Sequence, residues 1–376
     1  MWHGLNQVKN VLLIQAFHSF ASGILGVALP LMMKARNVDV VMMGLVFASM
    51  PLIMQLGRIF FATVSDFLGR KPFFISNGFL GVVSSLIYYI AHTPLEFLFG
   101  KVVEGTKEGA VWAVNRAFLL EKSEGQWRIL VYLRAVVYVA YAIGSLLAGF
   151  FVVWFLYEGT MLLCALFGVL GVLLSLLLVG GKKEKFSVGK ALQFLDFRKK
   201  DRVFKIFLFL FFIMGLSFGF RVGFVIPWFL DKNGFSTEVI GLIVGLQILL
   251  AGLFSYIFSR SSQIRRLILL SGVLYSVMFF LLGFSSSVFA GALVIAYGVV
   301  EGMNSVGQEG ILSRLSSKES YGTDIGLLMM GLHVGEALSL ALSGVLISLW
   351  GFVAPFLLSA STYVLFYVGS YLILKE

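Results

Sequence analysis

From residue 11 almost to the C-terminus the chain is a succession of apolar stretches about 20 residues long, the length that carries an α-helix across the hydrocarbon core of a bilayer. Charged or turn-forming breaks separate twelve of them, near residues 11–33, 40–64, 72–91, 95–120, 129–155, 159–180, 203–230, 238–259, 267–284, 287–312, 323–349 and 352–374. All twelve are expected to be helices. Composition points the same way: 59% of residues are hydrophobic, 13% are charged and the mean hydropathy is +0.96. Soluble domains carry about a quarter of their residues as charges.

One long polar segment, GKKEKFSVGKALQFLDFRKKDR, interrupts the pattern. It divides the chain into 1–180 and 203–376, with 181–202 read as a cytoplasmic linker holding a short amphipathic helix. An even number of spans puts both termini on one side. Lys and Arg crowd one set of loops, Arg70, Lys71, Lys122, Arg265 and Arg266 among them, whereas the opposite loops hold only Lys34, Arg36 and Lys232. The excess marks the cytoplasmic side. Both termini are therefore expected in the cytoplasm, and the chain in the plasma membrane. This dispersal also accounts for the net charge of +10 without an acidic partner, since nucleic-acid binding needs basic residues gathered on one soluble face. Cys164 is the lone cysteine and sits in a Leu-rich span, which leaves no disulfide framework or cysteine metal site. The opening MWHGLNQVKN precedes an apolar run longer than a signal peptide's core, and is read as part of a retained first helix.

The two halves resemble each other. An offset of 197 residues aligns Gly26 with Gly223, Pro30 with Pro227, Gly44 with Gly241, Glu104 with Glu301 and Gly105 with Gly302, and VVEG occurs at both 102–105 and 299–302. Two parallel six-helix bundles of this kind are one transporter architecture, with the substrate site near the midplane. The expected fold is an all-α membrane protein with twelve transmembrane helices in two pseudo-symmetric six-helix bundles.

Between the second and third spans the chain reads ATVSDFLGRKPFF, with Asp66, Gly69, Arg70 and Lys71 on the cytoplasmic side. Together with twelve spans and duplicated halves, this resembles the major facilitator superfamily of secondary transporters, whose signature in this loop is G-x-x-x-D-R-x-G-R-K. Ala62 and Phe67 depart from it. The resemblance implies that Asp66 and Arg70, with Gly69 and Lys71, form a charge cluster that latches the cytoplasmic ends of the halves. In the fourth span Lys101 and Gly105 resemble the family's R-x-x-x-G element, Lys lacking the planar fork of Arg. In the fifth, AYAIGSLLAGF is similar to the G-x-x-x-G-P-x-x-G-G element of the family's exporters, with Ser145 in the place of Pro. Small residues at that spacing also pack membrane helices closely.

An ionised side chain near the bilayer centre costs about 2.5 to 3.5 kcal/mol, so such residues should face a cavity or a partner. At 100° per residue, Lys101, Glu104, Glu108, Trp112 and Asn115 share one face of the fourth span, flanked by Lys107 and Arg116. The spacing lets Lys101 meet Glu104, and Glu104 meet Lys107. The tenth span presents Tyr297, Glu301, Asn304, Ser305 and Gln308 in the same way, the first Gln15, His18, Ser19 and Ser22, and the seventh Ser217, Arg221, Phe224 and Trp228. The resemblance implies that these four helices line a central cavity. The eleventh adds His333 and Glu336, three residues apart.

Glu104, Glu108, Glu301 and Glu336 are thus candidates for carrying a proton, Glu301 and Glu104 first because they are equivalent in the repeat. Lys101, Lys107 and Arg221 are their counter-charges, and His18 and His333 the relays. The candidate substrate cavity comprises Gln15, Ser22, Lys101, Lys107, Trp112, Asn115, Tyr141, Arg221, Trp228, Tyr297, Asn304 and Gln308. Its aromatic walls suit amphipathic organic solutes. The first reading is a proton-coupled exporter of small organic compounds, resembling multidrug antiporters. A proton symporter importing a sugar, carboxylate or other nutrient is the alternative, and a non-transporting membrane receptor the third. No H-E-x-x-H, G-x-S-x-G or P-loop spacing is present, which argues against an enzyme or an ATP-driven pump. No cofactor or metal is expected. The expected partners are a small-molecule substrate, protons and membrane lipid, with the chain acting as a monomer.

Overall fold

The structure is a computed structural model that describes residues 2–123, 128–180, 200–261, 263–316 and 321–374. Among these it is entirely helical: α1 (Trp2–Ala35), α2 (Val40–Leu68), α3 (Lys71–Ile90), α4 (Pro94–Lys122), α5 (Arg128–Leu176), α6 (Arg202–Gly219), α7 (Val225–Lys232), α8 (Thr237–Phe258), α9 (Ile264–Phe284), α10 (Ser287–Leu315), α11 (Tyr321–Trp350) and α12 (Val353–Ile373). Residues 181–199 of the linker, with the amphipathic helix expected there, lie outside the described residues.

Of these helices, ten are long and apolar enough to cross a bilayer. Apolar length explains them, because a helix satisfies every backbone polar group within itself where lipid offers no partner. The other two are α7, with 8 residues, and α4, whose internal charges Lys101, Glu104, Lys107, Glu108 and Arg116 lower its hydropathy. At about 1.5 Å per residue α5 would be roughly 70 Å long, over twice the hydrocarbon thickness. It takes in both the fifth and sixth expected spans and is broken at Leu156, where φ is 60° and ψ 178°.

The seventh expected span is corrected: it is two helices, not one. Its backbone leaves the helical path after Gly219 and re-enters at Val225, with Gly223 at φ +64° between them. A glycine relieves the steric cost of that left-handed conformation. The turn from α2 into α3 also has local reasons. Gly69, at φ +83°, follows the last residue of α2 as a helix-terminating glycine, and Pro72 sits in the first turn of α3, where its missing N–H costs nothing. Thr93 and Glu96 form a reciprocal cap at the start of α4, and Asp201 accepts from the Phe204 amide at 2.7 Å to start α6.

The chain forms two compact units. Unit 1 comprises Met1–Val38, Ser49–Phe186 and Thr237–Gly245; unit 2 comprises Asp39–Ala48, Ser187–Ser236 and Leu246–Glu376. Relative to a division at the linker, residues 39–48 group with the second unit and 237–245 with the first.

Within unit 1, α1 and α3 pack chiefly against α5, and α3 also against α4. Within unit 2, α6 packs against α11 and α12, and α9 against α10 and α12. The neighbour pattern repeats with the sequence. Glycine lets the backbones approach: a Cβ at Gly144 would lie 2.1 Å from the Phe20 carbonyl oxygen, and one at Gly215 2.0 Å from that of Leu332. The repeated VVEG has the same explanation. A Cβ at Gly105 would meet the Met50 carbonyl of α2 at 3.0 Å, and one at Gly302 the Ala251 carbonyl of α8 at 2.8 Å.

Candidate functional site

Unit 1 carries two buried charge clusters on α4, a turn apart. Lys101 Nζ lies 2.8 Å from Glu104 Oε2, which also accepts from the Tyr88 hydroxyl at 2.5 Å. Lys107 does not turn to Glu104 as the spacing suggested; its Nζ lies 3.4 Å from Glu108 Oε1. Glu108 gathers three further partners: Trp112 Nε1 donates to Oε2 at 3.0 Å, Ser22 Oγ donates to Oε1 at 3.3 Å, and His18 Nε2 lies 3.0 Å from Oε2. A carboxylate has about four lone-pair sites, so all are used. The side chains of Lys101, Glu104, Lys107 and Glu108 are between 4% and 7% exposed. Glu104 is therefore enclosed by its own unit rather than bordering open space.

The remaining polar residues on this face join the same layer. Asn115 donates to Gln15 Oε1 at 3.3 Å, and Gln15 to Ser19 at 3.3 Å. Tyr141 places its hydroxyl beside Gly26, where a Cβ would come within 2.6 Å of it.

The site in unit 2 is built on the break between α6 and α7. Arg221 follows the C-terminus of α6, whose free carbonyl end favours a cation. Its guanidinium lies 4.4 Å from the Phe218 ring centroid, 4.9 Å from Tyr297, 5.2 Å from Tyr275 and 5.9 Å from Phe279. Such faces attract cations most strongly where water is excluded. One nitrogen of Arg221 meets Glu301 Oε2 at 3.0 Å, and the Tyr297 hydroxyl donates to the same oxygen. The Arg221 side chain is 3% exposed and that of Glu301 19%. Buried Arg221 Nε finds no hydrogen-bond partner among the described residues.

Other expected site residues of this unit are placed elsewhere. Asn304 accepts from the Tyr367 hydroxyl at 2.7 Å, and Ser217 donates to the Ser359 carbonyl at 2.8 Å, so both serve contacts with α12. Gln308 donates to Met329 of α11. Trp228 packs with Phe224 and Phe352. His333 Nδ1 and Glu336 Oε2 are 3.0 Å apart on α11.

Glu104 and Glu301 occupy equivalent places in the repeat, yet their counter-charges differ. At the same offset Lys101 corresponds to Gly298 and Arg221 to Ile24. Lys101 reaches its carboxylate along one helix; Arg221 reaches Glu301 from another.

At the loop between α2 and α3, Arg70 pairs with Glu121 of α4 at 2.7 Å, and Lys71 Nζ donates to the Leu176 carbonyl at 2.7 Å. Asp66 lies in α2, with its side chain outside the described residues. In unit 2, Lys200 Nζ lies 2.5 Å from Asp324 in the first turn of α11.

The third span, α3, is a further source of partners. Asn77, Ser84, Ser85 and Tyr88 are all buried and recur at helical spacing, a polar stripe that a wheel of that span exposes. Tyr88 serves Glu104 and Asn77 serves His18.

Long apolar helices with ion pairs enclosed among them define a polytopic membrane protein, and paired intramembrane charges are typical of transporters. The description of the Major Facilitator Superfamily matches residues 11–306 and 207–376, and the chain belongs to that family. It shares the fold of the nucleoside transporter NupG, at TM-score 0.77 and 14% identity over 99% of this chain and 100% of that one. A mutant form of NupG gives TM-score 0.82 with the same identity, over 98% and 100%. The human organic anion transporter MFSD10 (TETRAN) gives TM-score 0.70 and 16% identity over 97% and 99%. No curated protein sequence matches the chain.

Proposed function

We propose that this secondary transporter moves a small organic solute by alternating access and couples its movement to protons, acting as an exporter of the antiporter type. The observation that carries the reading is the pairing of carboxylates with cations inside apolar helices, Glu301 with Arg221 and Glu108 with Lys107 and His18. A carboxylate held by a movable cation exchanges a proton when the pair separates, because desolvation then favours its neutral form. Burial ranks the candidates: Glu301 and Glu336 retain 19% and 13% side-chain exposure, against 4% for Glu104. Exposure puts Glu301 first; Glu108, at 7%, is placed second on its contacts with both Lys107 and His18 rather than on its exposure. Arg221, Tyr297 and Trp228 in unit 2, and Ser22, Trp112 and Tyr141 in unit 1, are the proposed solute contacts. Asp66 and Arg70 remain the proposed latch. The protein acts as a monomer in the plasma membrane with both termini cytoplasmic.

The alternative is a proton-coupled importer. NupG is described as a nucleoside transporter and MFSD10 as an organic anion transporter, which makes a nucleoside and an organic anion the solutes to try beside a drug-like cation. Reconstituted vesicles given an inward proton gradient separate the readings with three probes: uridine, p-aminohippurate and ethidium. An antiporter expels the probe it recognises and a symporter accumulates it. Failure of all three to move under either gradient, with folded protein, favours the receptor.

A further inference from the structure

Asn77 of α3 lies behind His18, on the side away from Glu108, and its bonds settle which nitrogen of His18 carries the proton. Its Nδ2 donates to the Lys107 backbone carbonyl at 3.1 Å and lies 3.2 Å from His18 Nδ1. A backbone carbonyl only accepts, so the amide is oriented with its NH2 group toward both. Nδ1 must then be the bare nitrogen, because a proton there would face another donor. His18 Nε2 carries the proton and donates it to Glu108. A neutral Glu108 donating to Nε2 would shift the ring's proton to Nδ1 and meet the same clash. The bond pattern therefore fits an ionised Glu108 beside a neutral His18 whose proton is on Nε2.

His18, Asn77, Lys107, Ser85 and Cys164 also border a cavity inside unit 1 with room for one or two waters. Asn77 is 3% exposed and Lys107 3%. The titratable groups facing His18 are Glu108 and Lys107 from α4 and Cys164 from α5 across the cavity; Tyr141 of α5 lies within electrostatic range of Glu108. From α3 the neighbour is the neutral Asn77.

We propose that Asn77 is the positioning residue that holds His18 as an acceptor at Nδ1, so that a proton arriving from the cavity is taken there and the Nε2 proton passes to Glu108. The transfer balances: hydronium in the cavity loses one proton to Nδ1, the N–H bond at Nε2 breaks, and an O–H bond forms on Glu108. Afterwards Nδ1 is a donor. Asn77 must then present its oxygen, which breaks its bond to the Lys107 carbonyl and frees α3 from α4 at that point. Loading a proton and loosening the α3–α4 contact are one event.

The relay, though not the tautomer, rests on the proton-coupled reading above, and the test keeps the two apart. The chain has four histidines, His3, His18, His92 and His333, so the full-length protein labelled with 15N-histidine gives a readable spectrum, and His18→Gln assigns the signals that vanish. At pH 7 wild-type His18 shows a bare Nδ1 and a protonated Nε2. Asn77→Asp, whose carboxylate accepts, converts it to the doubly protonated ring; Asn77→Ser, a milder change, removes the single tautomer and guards against misfolding of the first variant. A wild-type Nδ1–H or doubly protonated signal, or an Asp variant that matches wild type, overturns the assignment. In vesicles, gradient-driven flux of whichever of uridine, p-aminohippurate or ethidium the wild type moves falls at least about tenfold in Asn77→Asp, with a displaced pH profile. An unchanged profile overturns the relay. Wild-type vesicles that move no probe under a gradient overturn the coupled reading and leave the tautomer standing.

Discussion

Arg221, in the break between α6 and α7, and Glu301 of α10 lie 80 residues apart, yet meet at 3.0 Å inside a ring of four aromatic side chains. Neither charge is tolerable there without the other. Removing one partner of a buried pair costs about 3 to 5 kcal/mol, because the survivor keeps its desolvation penalty, whereas an apolar replacement of both is often neutral. Glu301→Gln is expected to destabilise by about 3 kcal/mol, the low end, since Glu301 keeps some solvent contact. Thermal unfolding in detergent should show most of the loss recovered in Glu301→Gln combined with Arg221→Met.

Lys101 and Glu104 offer the contrasting case of a pair enclosed with Tyr88. Glu104→Gln alone should unfold at lower temperature, by a difference equivalent to about 3 to 5 kcal/mol. The double change Lys101→Met with Glu104→Met should restore stability and retain gradient-driven flux, while Glu108→Gln abolishes that flux. Flux lost in the double variant would make Glu104 a proton carrier after all.

Gly105 and Gly302 stand beside the two equivalent glutamates and touch the backbones of α2 and α8. Overpacking a contact of this kind costs typically 1 to 3 kcal/mol. Gly105→Leu and Gly302→Leu should each lower the unfolding temperature, by similar amounts because the contacts are alike. Size-exclusion profiles and melting curves of the two variants, compared side by side, check this.

Gly223 is the left-handed residue between α6 and α7, and a Cβ there would come 2.9 Å from the Phe47 ring. Gly223→Ala should therefore destabilise by at least about 1 kcal/mol. Because Arg221 hangs on the same break, its pairing should suffer too. Double-mutant cycles with Glu301→Gln should show coupling between positions 223 and 301, and additivity would argue that the break and the ion pair are independent.

Much of the architecture was legible because apolar length and the 197-residue repeat are properties of the chain taken locally. The i,i+3 pairs Lys101–Glu104 and His333–Glu336 were legible for the same reason: both partners lie on one helix, so spacing alone brings them together. The break at 220–224 was not anticipated, although Gly219 and Gly223 flank it, since isolated glycines are common in continuous membrane helices.

Partners that come from another helix were beyond the reach of spacing. Nothing local to Glu104 names Tyr88, nothing near Arg221 names Phe279, and the Asn77 amide beside His18 belongs to α3, 59 residues along the chain. Which side chains meet depends on how each helix is rotated about its axis and where it crosses its neighbours. Periodicity along one chain segment says which face is polar. Only the packing of α1 against α4 brought His18 and Ser22 to Glu108, and only the bend after α6 put a guanidinium against Glu301. The apolar spans and their duplication follow from the sequence, because the bilayer reads hydrophobic length directly; the pairing of the charges within them belongs to tertiary structure, because burial makes each charge answer to whatever faces it.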